Sequence, residues 1–282
     1  MAAFENYASL ARSPEDIARL REKCRLWSGL VECIHIASLM HDDIIDHSAT
    51  RRGLKAHHLV FGERATLFAG DYIIARSAKK VYELGDVRMY QIYAAIIEDL
   101  TSGEVYQAEK GRPAPRDLFE RYLLKSHFKT GSLISNALRG VAQLLQLPPE
   151  LHRQLFSQGQ KIGLVFQMID DILDFEGDPA ILGKPILGDL AEGIVNLPAY
   201  FPLTQGSESA QEVIALAMEQ KNIPAEQCKE IARLVREQRG CEKARLLATS
   251  LADELLEELD GLSREDGTGM KFIVRGLLGR QK

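Results

Sequence analysis

Two aspartate triplets carry the strongest chemical signal in the chain. Asp42, Asp43 and Asp46 form one DDxxD, and Asp170, Asp171 and Asp174 repeat its spacing. On a helix the first and last members of each triplet are i and i+4, so they share a face and repel one another. An arrangement that costs stability needs a positive partner. Hard divalent cations held by oxygen ligands are the natural candidates. One such triplet alone reads as a solvated acidic helix face. The second follows the apolar residues Val165, Phe166 and Ile169 rather than other charges, and two copies in otherwise apolar helices are hard to ascribe to chance. Two facing acidic ends in a bundle make a site for several Mg²⁺ ions. Such a site suits a diphosphate, because Mg²⁺ takes a few carboxylates and completes its shell with phosphate oxygens.

The cations such a site needs are present. Arg51-Arg52-Gly53 follows the first triplet, and Lys129-Thr130 and Gly183-Lys184 are further candidates. Arg binds phosphate through a two-pronged fork and Lys acts as a point charge. Gly163, Gln167, Asp170 or Asp171, and Asp174 step by three or four residues, a polar stripe on an apolar helix. Polar groups are costly to bury unless they are used. His35 lies seven residues before Asp42, two turns and roughly 10 Å along the same face. His41, His47, His57 and His58 read as structural or solvent-facing, since no metal-ligand spacing such as HxxxH occurs.

The elements that must position these residues are helical. Ile17, Leu20, Cys24, Trp27, Val31, Ile34, Ser38 and His41 alternate steps of three and four, one stripe of a long amphipathic helix that Ser13-Pro14-Glu15-Asp16 starts well. Further helices are expected over 63–83, 87–110, 116–125, 131–145 and 150–175, then 190–203, 208–220, 225–237, 239–260 and 269–278, with 179–188 as a loop. No convincing period-2 strand is visible. The expectation is an all-α chain, with residues 1–282 as a single domain of helices packed side by side. A net charge of −5 argues against a nucleic-acid binder relying on bulk positive charge. The apolar runs are far shorter than the roughly 18 residues a membrane span needs. Cys24, Cys33, Cys228 and Cys241 form no CxxC and read as reduced, buried thiols of an intracellular protein. The N-terminus shows no targeting signal, neither a basic region before an apolar core nor an acid-poor, Arg-rich leader.

With these residues assembled, the chain resembles the trans-type polyprenyl diphosphate synthases. The matching segments are His35 to Asp46 with Arg51-Arg52-Gly53; Ala69-Gly70-Asp71; Gly103-Glu104 to Gln107; Lys129-Thr130; Phe166-Gln167 to Asp174; Gly183-Lys184 through Asp189 to Pro198; and Phe272 to Gly276. The resemblance implies an all-α, single-domain bundle around a central cavity, working as a homodimer or as a heteromer with a second prenyl synthase subunit. It implies a transferase of isoprenoid biosynthesis that joins isopentenyl diphosphate head-to-tail (1′-4) onto an allylic diphosphate, farnesyl or geranylgeranyl. Asp42, Asp46 and Asp170 would be the main Mg²⁺ ligands, for three ions. Asp43, Asp171 and Asp174 would complete that network, partly through water. Arg51, Lys129, Thr130, Gln167 and Lys184 would hold the allylic diphosphate, the two lysines also stabilising charge on the leaving group. Arg52 and His35 would hold isopentenyl diphosphate.

Ala37 and Ser38 lie about one turn before Asp42, where the growing tail should run down the helix. Both are small, which leaves a channel open and predicts a long, all-trans product beyond C20. Open-channel relatives commonly make ubiquinone side chains, which favours a mitochondrial or bacterial setting, the mitochondrion first. Two departures stand out. The family's Gly-Lys-x-x-Arg segment would fall at or before Met1, and Asn196 stands where a Thr is usual. These leave room for a non-catalytic or partner-dependent subunit whose N-terminal part of the fold is missing. A terpene cyclase shares the first triplet, but its second motif would read Asn/Asp-Asp-x-x-Ser/Thr-x-x-x-Glu, and the corresponding last two positions here are Asp174 and Asp178.

Overall fold

The computed structural model describes residue 3 and residues 13–108, 117–177, 186–220, 223–261 and 268–280. Its long first helix, α1 (Pro14–Ile45), starts as expected: Ser13 is extended, its hydroxyl accepts from the Asp16 N–H, and Pro14 occupies the first position. After α1 come a two-strand hairpin, β1 (Thr50–Arg51) and β2 (Leu54–Lys55), and the short α2 (His57–Phe61). Then follow α3 (Glu63–Tyr82), α4 (Val87–Ala108), α5 (Leu118–Ser126), a π turn (His127–Gly131), α6 (Ser132–Leu144) and α7 (Pro149–Glu176). The last part holds α8 (Gly188–Ala191), α9 (Leu197–Gln205), α10 (Glu208–Ala217), α11 (Ala225–Glu237), α12 (Gly240–Gly261) and α13 (Thr268–Leu278). The all-α expectation holds, and most helix ends fall within a few residues of the periodicity.

Two local readings need correction. The hairpin was invisible to a search for alternating strands because each strand has only two residues. Its signature is the turn: Arg52 and Gly53 have φ of 53° and 77°, both left-handed, as a two-residue type I′ hairpin turn requires. The segment 190–203 is not one helix. Gly193 at φ 80° ends α8, and Pro198 then sits in the first turn of α9, where a missing N–H costs nothing.

The core is built along α7 and α1. α7 packs on α6, α9, α12, α13 and the π turn, and α1 packs on α3 and α6. Trp27, Ile34, Ile96, Leu155, Met168, Ile169 and Ile172 are fully buried. Trp27 donates from Nε1 to the Ala137 carbonyl at 2.9 Å, and a Cβ on Gly140 would lie 2.3 Å from that nitrogen, so only glycine lets the indole rest on α6. Gly163 does similar work beside the site: a Cβ there would stand 2.6 Å from Gly131 Cα, so this glycine pair lets the π turn lie against α7. Trp27→Ala would cost about 3–5 kcal/mol through the cavity it leaves.

Candidate active site

Both acidic triplets sit at the C-terminal ends of long helices, where the backbone dipole is already negative. Neither α1 nor α7 carries a basic residue in its last turn. Each end therefore depends on cations from elsewhere.

At the first triplet the hairpin supplies one. Its type I′ turn swings Arg51 back over the helix end, and Arg51 donates from Nε at 2.9 Å and from Nη2 to Asp43 Oδ1. Asp43 is 1% exposed, and its other oxygen, Oδ2, is buried with no hydrogen-bond partner among the described residues. Burial, reinforced by Glu104 and Asp46, raises Asp42 to about 6 against the pull of Lys129 and Arg51. Excess negative charge and an orphaned carboxylate oxygen are what a divalent cation would relieve, so the residues fit Mg²⁺. Among the described residues, no three His, Cys, Asp or Glu side chains form a ready-made metal cage.

His35 lies two turns up α1. Burial lowers its pKa, Glu32 opposes this, and Arg52 and Arg51 lower it further, so the histidine and both arginines share one neighbourhood. Arg52 itself is exposed. Ala37 is fully buried, and the half-buried Ser38 donates from its hydroxyl to the His35 carbonyl at 2.9 Å.

Lys129 faces the first triplet. It sits in the π turn, a backbone irregularity common at functional sites. Burial alone would lower its pKa, but Asp42, Asp46, Glu104 and Asp189 outweigh burial and raise it. The neighbouring Thr130 hydroxyl donates to Gln167 Oε1 at 2.9 Å, and Gln167 Nε2 donates to Asp171 Oδ1 at 2.8 Å. The glutamine is thereby fixed between the π turn and the second triplet.

At the second triplet the three carboxylates do different things. Asp171 is buried and accepts from the Leu197 N–H at 3.1 Å, holding the start of α9. Burial, then Asp189, raises it to about 7, opposed by Lys125 and its two hydrogen bonds. Asp174 is also buried; it accepts from the Gly188 N–H at 3.0 Å, and its backbone carbonyl accepts from the Leu187 N–H at 2.8 Å. Those bonds hold Leu187 at φ 62°, a conformation a leucine rarely adopts. Asp170 is half-buried and pairs with Arg280 at 3.3 Å.

The structure thus brings together Asp42, Asp43, Asp46, Arg51 and Lys129 at one end, and Thr130, Gln167, Asp170, Asp171 and Asp174 at the other. Lys184 and Gly183 lie outside the described residues. Sequence reasoning gave no role to Lys125, Tyr122 or Arg280. Burial lowers Lys125, while Asp189 and Asp171 oppose it; burial, then Asp171, holds the Tyr122 hydroxyl well above its ordinary value. Their signal was the spacing Tyr122, Lys125, Lys129, a polar stripe on an amphipathic helix.

Comparison with known proteins bears on this geometry. Solanesyl diphosphate synthase 2, chloroplastic, of Arabidopsis thaliana is 33% identical over 258 residues, covering 90% of this chain and 60% of the relative. Solanesyl-diphosphate synthase 1, mitochondrial, of Oryza sativa subsp. japonica is 32% identical over 261 residues, covering 92% of this chain and 59% of the relative. The chain therefore spans about 60% of the length of these curated relatives. Among solved structures, a polyprenyl synthase from Caulobacter crescentus, complexed with calcium and isoprenyl diphosphate, superposes with a TM-score of 0.85 at 23% identity, covering 100% of this chain and 84% of that one. A geranylgeranyl pyrophosphate synthase from Lactobacillus brevis gives 0.82 at 26% identity, covering 99% and 84%. These neighbours share the helical fold. The family model for polyprenyl synthetase matches residues 7–235, carrying both acidic helix ends and the π turn between them, and the chain belongs to that family.

Proposed function

We propose that this chain is a trans-prenyltransferase that extends an allylic diphosphate with isopentenyl diphosphate to a long-chain, all-trans polyprenyl diphosphate. The observation that carries this reading is the π turn between the two acidic helix ends: its Lys129 faces Asp42 and Asp46, and its Thr130 is tied through Gln167 to Asp171. The difficult step is heterolysis of an allylic C–O bond, which leaves a carbocation and a diphosphate anion. Asp42, Asp46 and Asp170 are the residues to hold Mg²⁺, with three ions expected, and when bound the metal supplies positive charge for the leaving group. Lys129, Arg51 and Lys184 add fixed positive charge there, and Thr130 and Gln167 orient the diphosphate. His35 and Arg52 hold isopentenyl diphosphate. Its alkene needs no protein nucleophile, only placement. Asp43, Asp171 and Asp174 support the site by anchoring the hairpin, α9 and α8.

Small residues at Ala37 and Ser38 support a long product, and the solanesyl synthases among the relatives support the same class. The relatives named for chloroplast and mitochondrion support an intracellular setting; we favour the mitochondrion and a ubiquinone side chain. No helix among the described residues is long and apolar enough to cross a membrane. Leu67, Phe68 and Tyr72 project from α3 at 44–67% exposure, an apolar face that supports a homodimer or a heteromer with a second subunit.

The test is an extension assay with purified protein, Mg²⁺, farnesyl or geranylgeranyl diphosphate and labelled isopentenyl diphosphate. A product ladder ending beyond C20 is expected. Folded protein that incorporates no label, alone, would overturn a self-sufficient synthase; label recovered on adding a second prenyl synthase subunit would assign it a partner-dependent role.

A further inference from the structure

Arg280 belongs to no motif, yet it lies on the second triplet. Its Nη2 is 3.3 Å from Asp170 Oδ1, and its guanidinium carbon is 4.4 Å from the centre of the Phe166 ring. Phe166 and Asp170 are i and i+4 on α7, one turn apart on one face. The planar cation stacks on the ring and reaches the carboxylate from the same side. The helix that delivers it is anchored. α13 packs on α7 and α12, Met270 and Val274 are buried, and Lys271 Nζ lies 2.5 Å from Asp260 Oδ1.

We infer that Arg280 is a built-in counter-ion that holds a metal ion's place at Asp170, so that docking of the segment just after α13 and divalent-metal binding compete for that carboxylate. This rests on the reading of Asp170 as a metal ligand. The physical need is plain: α7 ends negative with no basic residue in its last turn. Arg280 supplies the missing charge. A guanidinium does not lose its proton, so it leaves Asp170 only by displacement. The pair is partly open to water, with side chains 25% and 33% exposed, so its hold is weak enough for a metal to break. Metal arrival then releases the end of α13, coupling occupancy of the site to that helix.

The test uses the full chain, Mn²⁺ as the probe ion followed by its free-ion electron spin resonance, and inorganic pyrophosphate as the anion. Arg280→Ala should bind Mn²⁺ about three- to tenfold more tightly than wild type, the gain shrinking at high salt. Arg275→Ala, at an exposed arginine within α13, should bind as wild type does. Deuterium exchange at the end of α13 should quicken in wild type when Mn²⁺ and pyrophosphate are added. Equal or weaker Mn²⁺ binding by Arg280→Ala, or exchange at α13 that ignores the metal, overturns the inference. Asp170→Asn separates the two ideas. If it loses Mn²⁺ affinity while Arg280→Ala matches wild type, only the counter-ion role fails. If Asp170→Asn binds Mn²⁺ as wild type does, the metal reading fails with it.

Discussion

The two triplets have the same spacing and the same place at a helix end, yet the structure uses them differently. At the end of α1 the middle carboxylate, Asp43, is the structural one: it ties down Arg51 and thereby the hairpin. Asp42 and Asp46, sharing a face, are left to oppose Lys129. At the end of α7 two of the three are structural. Asp171 holds the Leu197 N–H and Asp174 the Gly188 N–H, whereas Asp170 pairs with the Arg280 side chain. Spacing reports which carboxylates share a face. It does not report which of them the surrounding backbone has already claimed.

The sharpest way to break this comparison is to remove one carboxylate of each kind. Asp42→Asn and Asp170→Asn should each lower kcat roughly a hundred- to thousandfold, the loss of about 3–4 kcal/mol expected for one key electrostatic group. Melting temperature should hold or rise in Asp42→Asn, because a repulsive charge is gone. Asp171→Ala should do the opposite in kind. It strips the Leu197 N–H of its acceptor and Lys125 of a counter-charge, costing about 3 kcal/mol of stability. A thermal melt decides it: an Asp171→Ala protein that unfolds with wild type would show that the carboxylate is no anchor.

A smaller effect follows from the raised pKa of Asp42. A carboxyl that holds its proton more tightly when folded stabilises the fold at low pH, and that contribution is lost as pH rises. For Asp42 the window runs from the ordinary 3.8 to about 6. Metal-free protein should lose stability across this range as pH increases, and Asp42→Asn should flatten that part of the profile. Chemical denaturation at a series of pH values reads both. A profile unchanged by the substitution would place Asp42 in water rather than buried beside Glu104 and Asp46.

Much of this was legible in the chain. The helices follow from apolar periodicity, and the triplets from residue type alone. Arg51 was identified as a cation, but its target was not, because the hairpin that aims it is built from two left-handed residues, Arg52 and Gly53, rather than from strand-like alternation. Gly163 was visible as a member of a polar stripe, but its task, admitting Gly131 to within contact of α7, depends on how two distant segments pack. Arg280 was illegible for the same reason. Its partners are 110 or more positions away in the sequence, and nothing local marks it.

The finest test concerns α1 about one turn before the first triplet, where Ala37 and Ser38 are the small residues expected to keep a channel open. The structure separates them. Ala37 is fully buried, so its Cβ is already surrounded by protein. Ser38 is only half-buried, and its hydroxyl turns back to the His35 carbonyl instead of crossing to another helix. A large ring at position 37 must push neighbours aside, at about 1–3 kcal/mol for overpacking. A ring at position 38 has room to enter whatever space the tail uses. Ser38→Tyr should therefore shorten the product by one or more isoprene units with little change in melting temperature, and Ala37→Phe should lower the melting temperature more than it shortens the product. Chromatographic sizing beside a thermal melt reads both. Equal shortening by the two substitutions would make them joint walls of one channel, and no shortening by Ser38→Tyr would move the tail to a different face of α1.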